Sequence, residues 1–300
     1  MKKTLIALAV LGAAAGTAYA QSNVTIYGVV DTGYIKKTGE DVGMGENVNS
    51  RIGFKGVEDL GSGQKATFQL EKRFNVNDGT NKSSKNWEGK NKDWEGAANV
   101  GLKGDNWGAV RLGRINGIAT ENIRKFDPFY QYGVGAMIDS TQRGVRQDNM
   151  IRFDSLDYYG FSFSASYALG GNMNGSSRDV DGYLVHQDND HAAGKSNGWD
   201  NDGYALGLNY KNGGFAATAN YQVLADSNRS SLWNAGVSYS WDTVKLEALY
   251  QATHDKGGVE GRQSKAWPKG ADGKYTDYYN SLDEQQALLG VEWKIICSYP

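Results

Sequence analysis

The sequence predicts an all-β protein, an antiparallel transmembrane β-barrel, and three observations support this fold class. Segments in which apolar and polar residues alternate recur along most of the chain, which places the two kinds of side chain on opposite strand faces. The 300 residues include 40 glycines, 18 tyrosines and 8 tryptophans but 3 prolines, a composition typical of strands joined by tight turns. Short turns and long polar loops also alternate along the chain, as they do in outer-membrane barrels.

Residues 1–20 have the pattern of a signal peptide for export. Lys2 and Lys3 precede an apolar run at residues 4–14, and Ala18-Tyr19-Ala20 fits the small-x-small rule for cleavage. The apolar run is shorter than the roughly 18 residues that cross a bilayer as a helix, which disfavours the alternative of a membrane anchor. The sequence therefore predicts an exported protein whose mature chain begins after residue 20.

The alternating segments, taken in order, predict about twelve strands, each with about the length of a tilted membrane strand, roughly 9–11 residues. They are residues 23–36, 50–60, 64–76, 97–104, 108–115, 149–156, 161–169, 204–211, 215–223, 231–241, 243–253 and 284–294. Short turns such as Asn212-Gly213-Gly214 alternate with long loops such as 77–95. A soluble β-sandwich is the alternative, but its crossing connections would not sort loops by length so regularly.

Strand faces within the hairpin at residues 51–74 are sharply different. Ala66, Phe68 and Leu70 lie on one face, and Lys65, Glu71 and Arg73 lie on the other. In a membrane barrel the apolar face contacts lipid and the charged face lines a water-filled lumen. Aromatic residues near strand ends, such as Tyr210 and Trp241, are typical of the two interfacial girdles of such a barrel.

Several function classes find no support in the sequence. The net charge is −2 and the basic residues are dispersed, so a nucleic-acid partner is not predicted. A single cysteine, Cys297, cannot form an intramolecular disulfide. The chain has no G-x-S-x-G motif, phosphate-binding loop or C-x-x-C pair, so the sequence predicts no catalytic residue, no metal site and no cofactor.

Five stretches resemble the Gram-negative general porins of Neisseria and other β-proteobacteria. They are VTIYGVVDTG (24–33), SRIGFKGVEDLGSGQKATFQLE (50–71), VGLKGDNWGAVRLGR (100–114), IRFDSLDYYGFSFSASYAL (151–169) and YKNGGFAATANYQ (210–222). The resemblance implies an outer-membrane porin, a water-filled channel for passive diffusion of ions and small hydrophilic solutes. It also implies a homotrimer of barrels of about sixteen strands, surrounded by outer-membrane lipid. The alternative is an adhesin or receptor barrel whose extracellular loops bind a partner.

The resemblance further implies that the third extracellular loop, residues 116–148, folds into the lumen and narrows it. A loop this long and only moderately polar needs a surface on which to pack. Carboxylates of the loop are then expected to face basic residues of the wall, and the resulting field favours ions of one sign. The expected loop acids are Glu121, Asp127 and Asp139.

The expected basic wall has four arginines. The resemblance assigns Arg51 at the start of the second strand and Arg146 before the sixth strand. The alternation of faces independently places four basic residues on the side of the lumen, namely Arg51, Lys55, Arg73 and Arg111. The sequence thus predicts a constriction between these arginines and the acids of the loop.

Two features depart from the family pattern. The fourth strand of these porins usually opens with one or two basic residues, whereas this chain has Glu95-Gly96-Ala97 there, so anion preference is not carried over. The resemblance ends near residue 294, and residues 295–300, IICSYP, form an atypical tail without alternation. The sequence therefore predicts an incomplete barrel at residues 21–294, from a truncated or frame-shifted gene, and a true twelve-stranded barrel is the alternative.

Overall fold

The computed structural model describes residues 23–36, 39, 41–82, 92–133, 145–169, 202–225, 230–255 and 282–293. The predicted signal peptide at residues 1–20, the tail at residues 295–300 and Asp139 lie outside these residues. In the described part of the chain, no helix combines the length and the apolar character that crossing a membrane requires.

The described chain folds mainly into one antiparallel sheet in which each long strand pairs with its neighbours in sequence. The strands are β1 (Asn23–Val29), β2 (Gly33–Ile35), β3 (Gly43–Gly45), β4 (Arg51–Gly61), β5 (Gln64–Phe74), β6 (Asn81–Lys82), β7 (Ala97–Gly104), β8 (Gly108–Asn116), β9 (Arg146–Asp154), β10 (Phe161–Ala168), β11 (Gly203–Asn212), β12 (Phe215–Val223), β13 (Ser231–Trp241), β14 (Val244–Asp255) and β15 (Leu282–Trp293). The main path runs β1-β4-β5-β7 and then in order to β15, while β2 and β3 form a separate ribbon and β6 pairs with β5.

Each of the twelve predicted strands corresponds to one strand of this main path, so the prediction of about twelve antiparallel strands is confirmed. The first strand was predicted to reach residue 36, which is wrong, because β1 ends at Val29. The cause is Asp31, whose carboxylate accepts hydrogen bonds from the backbone N–H groups of Asn47 at 2.8 Å and Val48 at 2.5 Å. These bonds draw the chain away from the sheet toward the following loop.

The two faces of the sheet have opposite character. Apolar side chains of the outer face are exposed, with Ile26 at 68% and Leu206 at 61% of their maximal area. Polar and charged side chains of the inner face are buried, as in Asn220 and Arg152, the latter 2% exposed. This is the reverse of a soluble sandwich, and it agrees with an apolar outer face in lipid and a polar interior.

Aromatic side chains mark both ends of the outer face. At the end with the long loops, Tyr221 lies directly opposite Trp233 in the register of β12 and β13. At the end with the short turns, Tyr210 packs against Phe161 and Phe215, with ring centroids 4.4 Å and 6.1 Å apart. Two aromatic bands at opposite strand ends are what the sequence predicted for interfacial girdles.

The described sheet is curved but not closed. In the described residues, β1 pairs along one edge with β4, and β15 pairs along one edge with β14. The described part of the chain therefore has the architecture of a barrel wall with two open edges. The remaining backbone groups of an edge strand are free to pair with another strand.

The loop after β8 turns inward and forms the helix α1 (Ile118–Ile123), followed by a 3₁₀ turn (Arg124–Phe126). The helix presents buried Ile118 and Ile123 to the inner face of the sheet. A Cβ atom placed on Gly207 of β11 would lie 2.5 Å from Cγ2 of Ile118, so this glycine provides the space in which the helix packs. The inward-folded loop that the resemblance implied is therefore present.

Amide side chains of the wall fix the helix in place. Asn122 of α1 donates a hydrogen bond to Oδ1 of Asn220 at 2.7 Å, and Asn234 donates to the carbonyl oxygen of Ala119 at 3.3 Å. Asn220 also donates to Asn234 at 2.9 Å, and Asn234 donates to Gln251 at 3.1 Å. This ladder crosses three neighbouring strands and satisfies buried polar groups that would otherwise destabilise the interior.

Candidate functional site

A polar pocket of about 120 Å³ lies inside the curved sheet, between the wall formed by β4, β5, β7, β8 and β9 and the inward-folded loop. Five arginines line it, namely Arg51, Arg73, Arg111, Arg124 and Arg146, and Glu71 is the acid among its lining residues. The structure thus brings together all four arginines that the sequence placed on the basic wall. Arg124, from the loop, was not predicted.

Strand register explains why these side chains meet. Arg51 lies directly opposite Arg73 in the pairing of β4 with β5, and Arg111 lies directly opposite Arg152 in the pairing of β8 with β9. Like charges placed opposite each other destabilise a sheet unless acids lie between them. The wall must therefore contain carboxylates as well as guanidinium groups.

Carboxylates do lie between the paired arginines. An oxygen of Glu71 is 3.6 Å from Nε of Arg51, and the other is 3.3 Å from Nε of Arg73. Asp154 contacts Arg111 at 2.7 Å and Arg152 at 2.8 Å. The wall is therefore a network of alternating charges rather than a purely basic surface.

Glu95 adds a further acid at the position where the family resemblance predicted a basic residue. It is 7% exposed, and its carboxylate lies 3.5 Å from Arg73, 3.8 Å from Arg114 and 3.8 Å from Arg146. A buried carboxylate among three guanidinium groups reduces the positive potential of this part of the wall. Glu95, the acid that departs from the family pattern, thus belongs to the charged network of the wall.

Two wall arginines of this network, Arg114 and Arg152, were missed by the sequence analysis. The register of β8 and β9 shifts between Gly113 and Ile115, where Gly113 has a φ of +125°. Alternation cannot be followed through such a bulge, so it gave no signal for Arg114. Arg152 had an available signal, because it alternates with Ile151, whose side chain faces outward.

The three predicted loop acids differ in where they lie. Glu121 of α1 accepts a hydrogen bond from Nη1 of Arg152 at 2.9 Å, so it does reach the basic wall. Asp127 is 1% exposed, and its carboxylate instead accepts the backbone N–H groups of Phe129 at 2.9 Å and Gln131 at 3.1 Å. The structure does not bring Asp127 to the pocket, because these local bonds use its oxygens. Asp139 lies outside the described residues.

Lys92, in the loop before β7, extends the network toward the loop end of the sheet. Its ammonium donates a hydrogen bond to Asp148, which also accepts one from Nη1 of Arg114 at 2.6 Å. Burial, together with the nearby Arg114 guanidinium, lowers the pKa of Lys92 below its ordinary value, although the Asp148 carboxylate acts in the opposite direction. Desolvation is therefore substantial even at the margin of the site.

An antiparallel sheet with an apolar outer face, aromatic bands and a charged interior into which a loop folds is typical of an outer-membrane channel protein. A family model described as Gram-negative porin matches residues 7–291. The chain belongs to the Gram-negative porin family, and it forms an outer-membrane channel for passive diffusion.

Relatives and solved structures agree with this assignment. The chain is 32% identical over 288 residues to an outer membrane porin protein of Bordetella pertussis, covering 85% of this chain and 70% of that protein. It is also 32% identical over 282 residues to outer membrane porin protein 32 of Delftia acidovorans, covering 87% and 72%. Its fold is similar to that of an anion-selective porin from Comamonas acidovorans, with a TM-score of 0.63, 22% identity and coverage of 90% and 74%.

Proposed function

We propose that the arginine pocket and the inward-folded loop form the narrowest part of the channel, and that this constriction limits the passage of ions and small hydrophilic solutes. The observation that carries the proposal is the position of the loop. Helix α1 packs against β11 to β13, while the arginines project from β4, β5, β8 and β9. Solutes crossing the lumen therefore pass between charged side chains of the wall and side chains of the loop.

We also propose that the protein acts without catalysis. Diffusion through a water-filled lumen needs no nucleophile, cofactor or metal. In the described part of the chain, His, Cys, Asp and Glu side chains do not form a group of three or more that could hold a metal ion. The charges of the pocket act on passing solutes through their field and their hydrogen bonds.

We further propose that the chain assembles as a homotrimer in outer-membrane lipid. The family resemblance supports the trimer. The contact with lipid is supported by the outer face, where Val24, Leu208 and Val237 are among the large apolar side chains that remain exposed. In planar bilayers a trimer is expected to produce openings in groups of three.

Substitution of Arg51 tests the constriction. Arg51→Ala removes a long side chain from the pocket, and we expect single-channel conductance to rise because the narrowest section becomes wider. Lys55→Ala is the matched control, since Lys55 lies on the same face of β4 but does not line the pocket. Single-channel recording in planar bilayers measures both variants.

Two outcomes would contradict the proposals separately. Equal conductance changes in the two variants would place the narrowest section outside the pocket. Stable insertion of the unaltered protein without stepwise openings would overturn the channel function itself.

A further inference from the structure

The wall arginines predicted from the sequence are all engaged by carboxylates. Arg51 and Arg73 contact Glu71, and Arg111 contacts Asp154 at 2.7 Å. Arg146 has Glu95 at 3.8 Å. An arginine whose N–H groups face a carboxylate has fewer donors left for a passing ion, although its charge still contributes to the long-range field.

Arg124 differs from these four arginines although it lines the same pocket. It lies on the loop, at the end of α1, and in the described part of the chain no carboxylate lies within ion-pair distance of it. Its side-chain contacts with the described residues are neutral. Nε donates to Oε1 of Gln131 at 3.4 Å, and the guanidinium lies 5.8 Å from the ring centroid of Tyr132.

The loop holds Arg124 in position rather than leaving it to move freely. Gln131, which accepts the bond from Arg124, donates through its own amide to the carbonyl oxygen of Thr120 at 3.4 Å. The backbone of Gln131 is fixed in turn by the carboxylate of Asp127 at 3.1 Å. Tyr130 and Gln131 adopt left-handed φ angles of 51° and 59°, a strained conformation for residues other than glycine, which persists where surrounding contacts enforce it.

We propose that Arg124 is the contact residue through which this channel discriminates anions from cations, with small anions pairing transiently with its free N–H groups. A guanidinium has five N–H donors, and the described contacts use Nε alone. The inference rests on the proposed constriction, because an anion meets Arg124 only if its path crosses the pocket. It assigns the decisive contact to the loop, on which the sequence predicted acids, rather than to the wall.

The salt dependence of a substitution's effect on ion preference distinguishes a direct contact with the ion from a field that acts at a distance. The charge of any lumen arginine contributes to the field, but that contribution is screened over about 10 Å at 0.1 M salt and over about 3 Å at 1 M salt. A contact at hydrogen-bond distance is screened much less. Removing Arg124 should therefore alter ion preference at both salt concentrations, whereas removing a charge that acts only at a distance should matter mainly in dilute salt.

The test compares Arg124→Gln, Arg51→Gln and Lys125→Gln in the full chain, by measuring reversal potentials in potassium chloride gradients. We expect Arg124→Gln to lower the chloride-to-potassium permeability ratio by about two- to fivefold in dilute salt and to retain most of that effect near 1 M. Lys125→Gln is the matched control, because it removes the adjacent loop charge, which does not line the pocket. The effect of Lys125→Gln on the permeability ratio should be small. The effect of Arg51→Gln should decrease as the salt concentration rises.

Two results would overturn the inference while leaving the porin intact. One is an effect of Arg124→Gln no larger than that of Lys125→Gln. The other is an effect of Arg124→Gln that disappears at high salt together with that of Arg51→Gln. Stepwise openings in all variants would show that the channel itself persists, so either result bears on Arg124 alone.

Discussion

Glu95 illustrates how one residue can alter the electrostatics of a shared architecture. Its carboxylate lies within 4 Å of Arg73, Arg114 and Arg146, and it is almost fully buried. A charge in a partly desolvated lumen acts more strongly on ions than the same charge on an open surface. We therefore expect the ion preference of this porin to depend on the acids of the wall as much as on its arginines.

Neutralising Glu95 should raise the preference for anions. Glu95→Gln preserves the shape of the side chain but removes its negative charge from among three guanidinium groups. We expect the chloride-to-potassium permeability ratio to rise, by about two- to fivefold in dilute salt, as measured from the reversal potential in a salt gradient.

Asp105→Asn provides the matched control for this prediction. Asp105 lies in the turn between β7 and β8, where it contacts Lys65 at 3.9 Å and is largely exposed. The same change of charge at this distant position should leave the permeability ratio nearly unchanged. A fall in the ratio for Glu95→Gln, or equal shifts in the two variants, would contradict the prediction.

At the scale of elements, the contact between α1 and the wall depends on glycines, because their lack of a side chain leaves room for the helix. Gly207 and Gly236 face the loop, and a Cβ atom on Gly236 would lie 2.8 Å from Cγ of Phe126. Ile123 and Phe126 also pack against Leu249 of β14. The loop position is therefore set by close packing, which tolerates added volume poorly.

Adding one methyl group beneath the helix should displace it. We expect Gly207→Ala to reduce the free energy of unfolding by about 1–3 kcal/mol, the usual effect of overpacking, and to change single-channel conductance because the loop borders the pocket. Urea titration of the refolded protein and planar-bilayer recording measure the two effects.

Gly33→Ala is the control for this substitution. Gly33 lies in β2, and a Cβ atom placed there would meet no heavy atom within 4 Å. Its stability and conductance should stay close to those of the unaltered protein. If Gly207→Ala behaved in the same way as Gly33→Ala, close packing would not be what positions the loop.

The strands of this protein could be predicted from its sequence and the irregular segments could not, for physical reasons. Alternation predicted β11 to β14 closely, because each of these strands has one face outward and one inward along its length. Arg124 gave no such signal, since it lies in a short 3₁₀ turn whose direction is set by contacts distant in sequence. Asp127 looked like a pocket acid by charge, and its use in a local turn became visible only with the backbone geometry.

At the scale of the whole molecule, the distribution of polarity is what a channel in a membrane requires. The outer face is apolar and the inner face carries the charges, so lipid and water each meet a compatible surface. This inversion also determines which substitutions the protein tolerates. A charge is acceptable on the inner face, where it is solvated or paired, and costly on the outer face.

A charge on the outer face should destabilise the protein in lipid. Leu206 lies within β11 and is 61% exposed on that face, so Leu206→Arg is expected to reduce the free energy of unfolding by about 2–4 kcal/mol. Leu206→Ala controls for lost apolar contact and should have a smaller effect. Urea-induced unfolding from lipid vesicles measures both, and equal values for the two variants would indicate that this face does not contact hydrocarbon.

The packing of α1 on glycines and amides of the wall has a consequence for transport. We expect an element held against the wall by buried side chains and hydrogen bonds to keep its position as solutes pass. We therefore expect the channel to behave as an orifice of constant width, comparable to a resistor in an electrical circuit, whose width is set when the chain folds. Flux through such an orifice rises in proportion to the concentration difference across the membrane, and the cell can adjust it by the number of channels it makes.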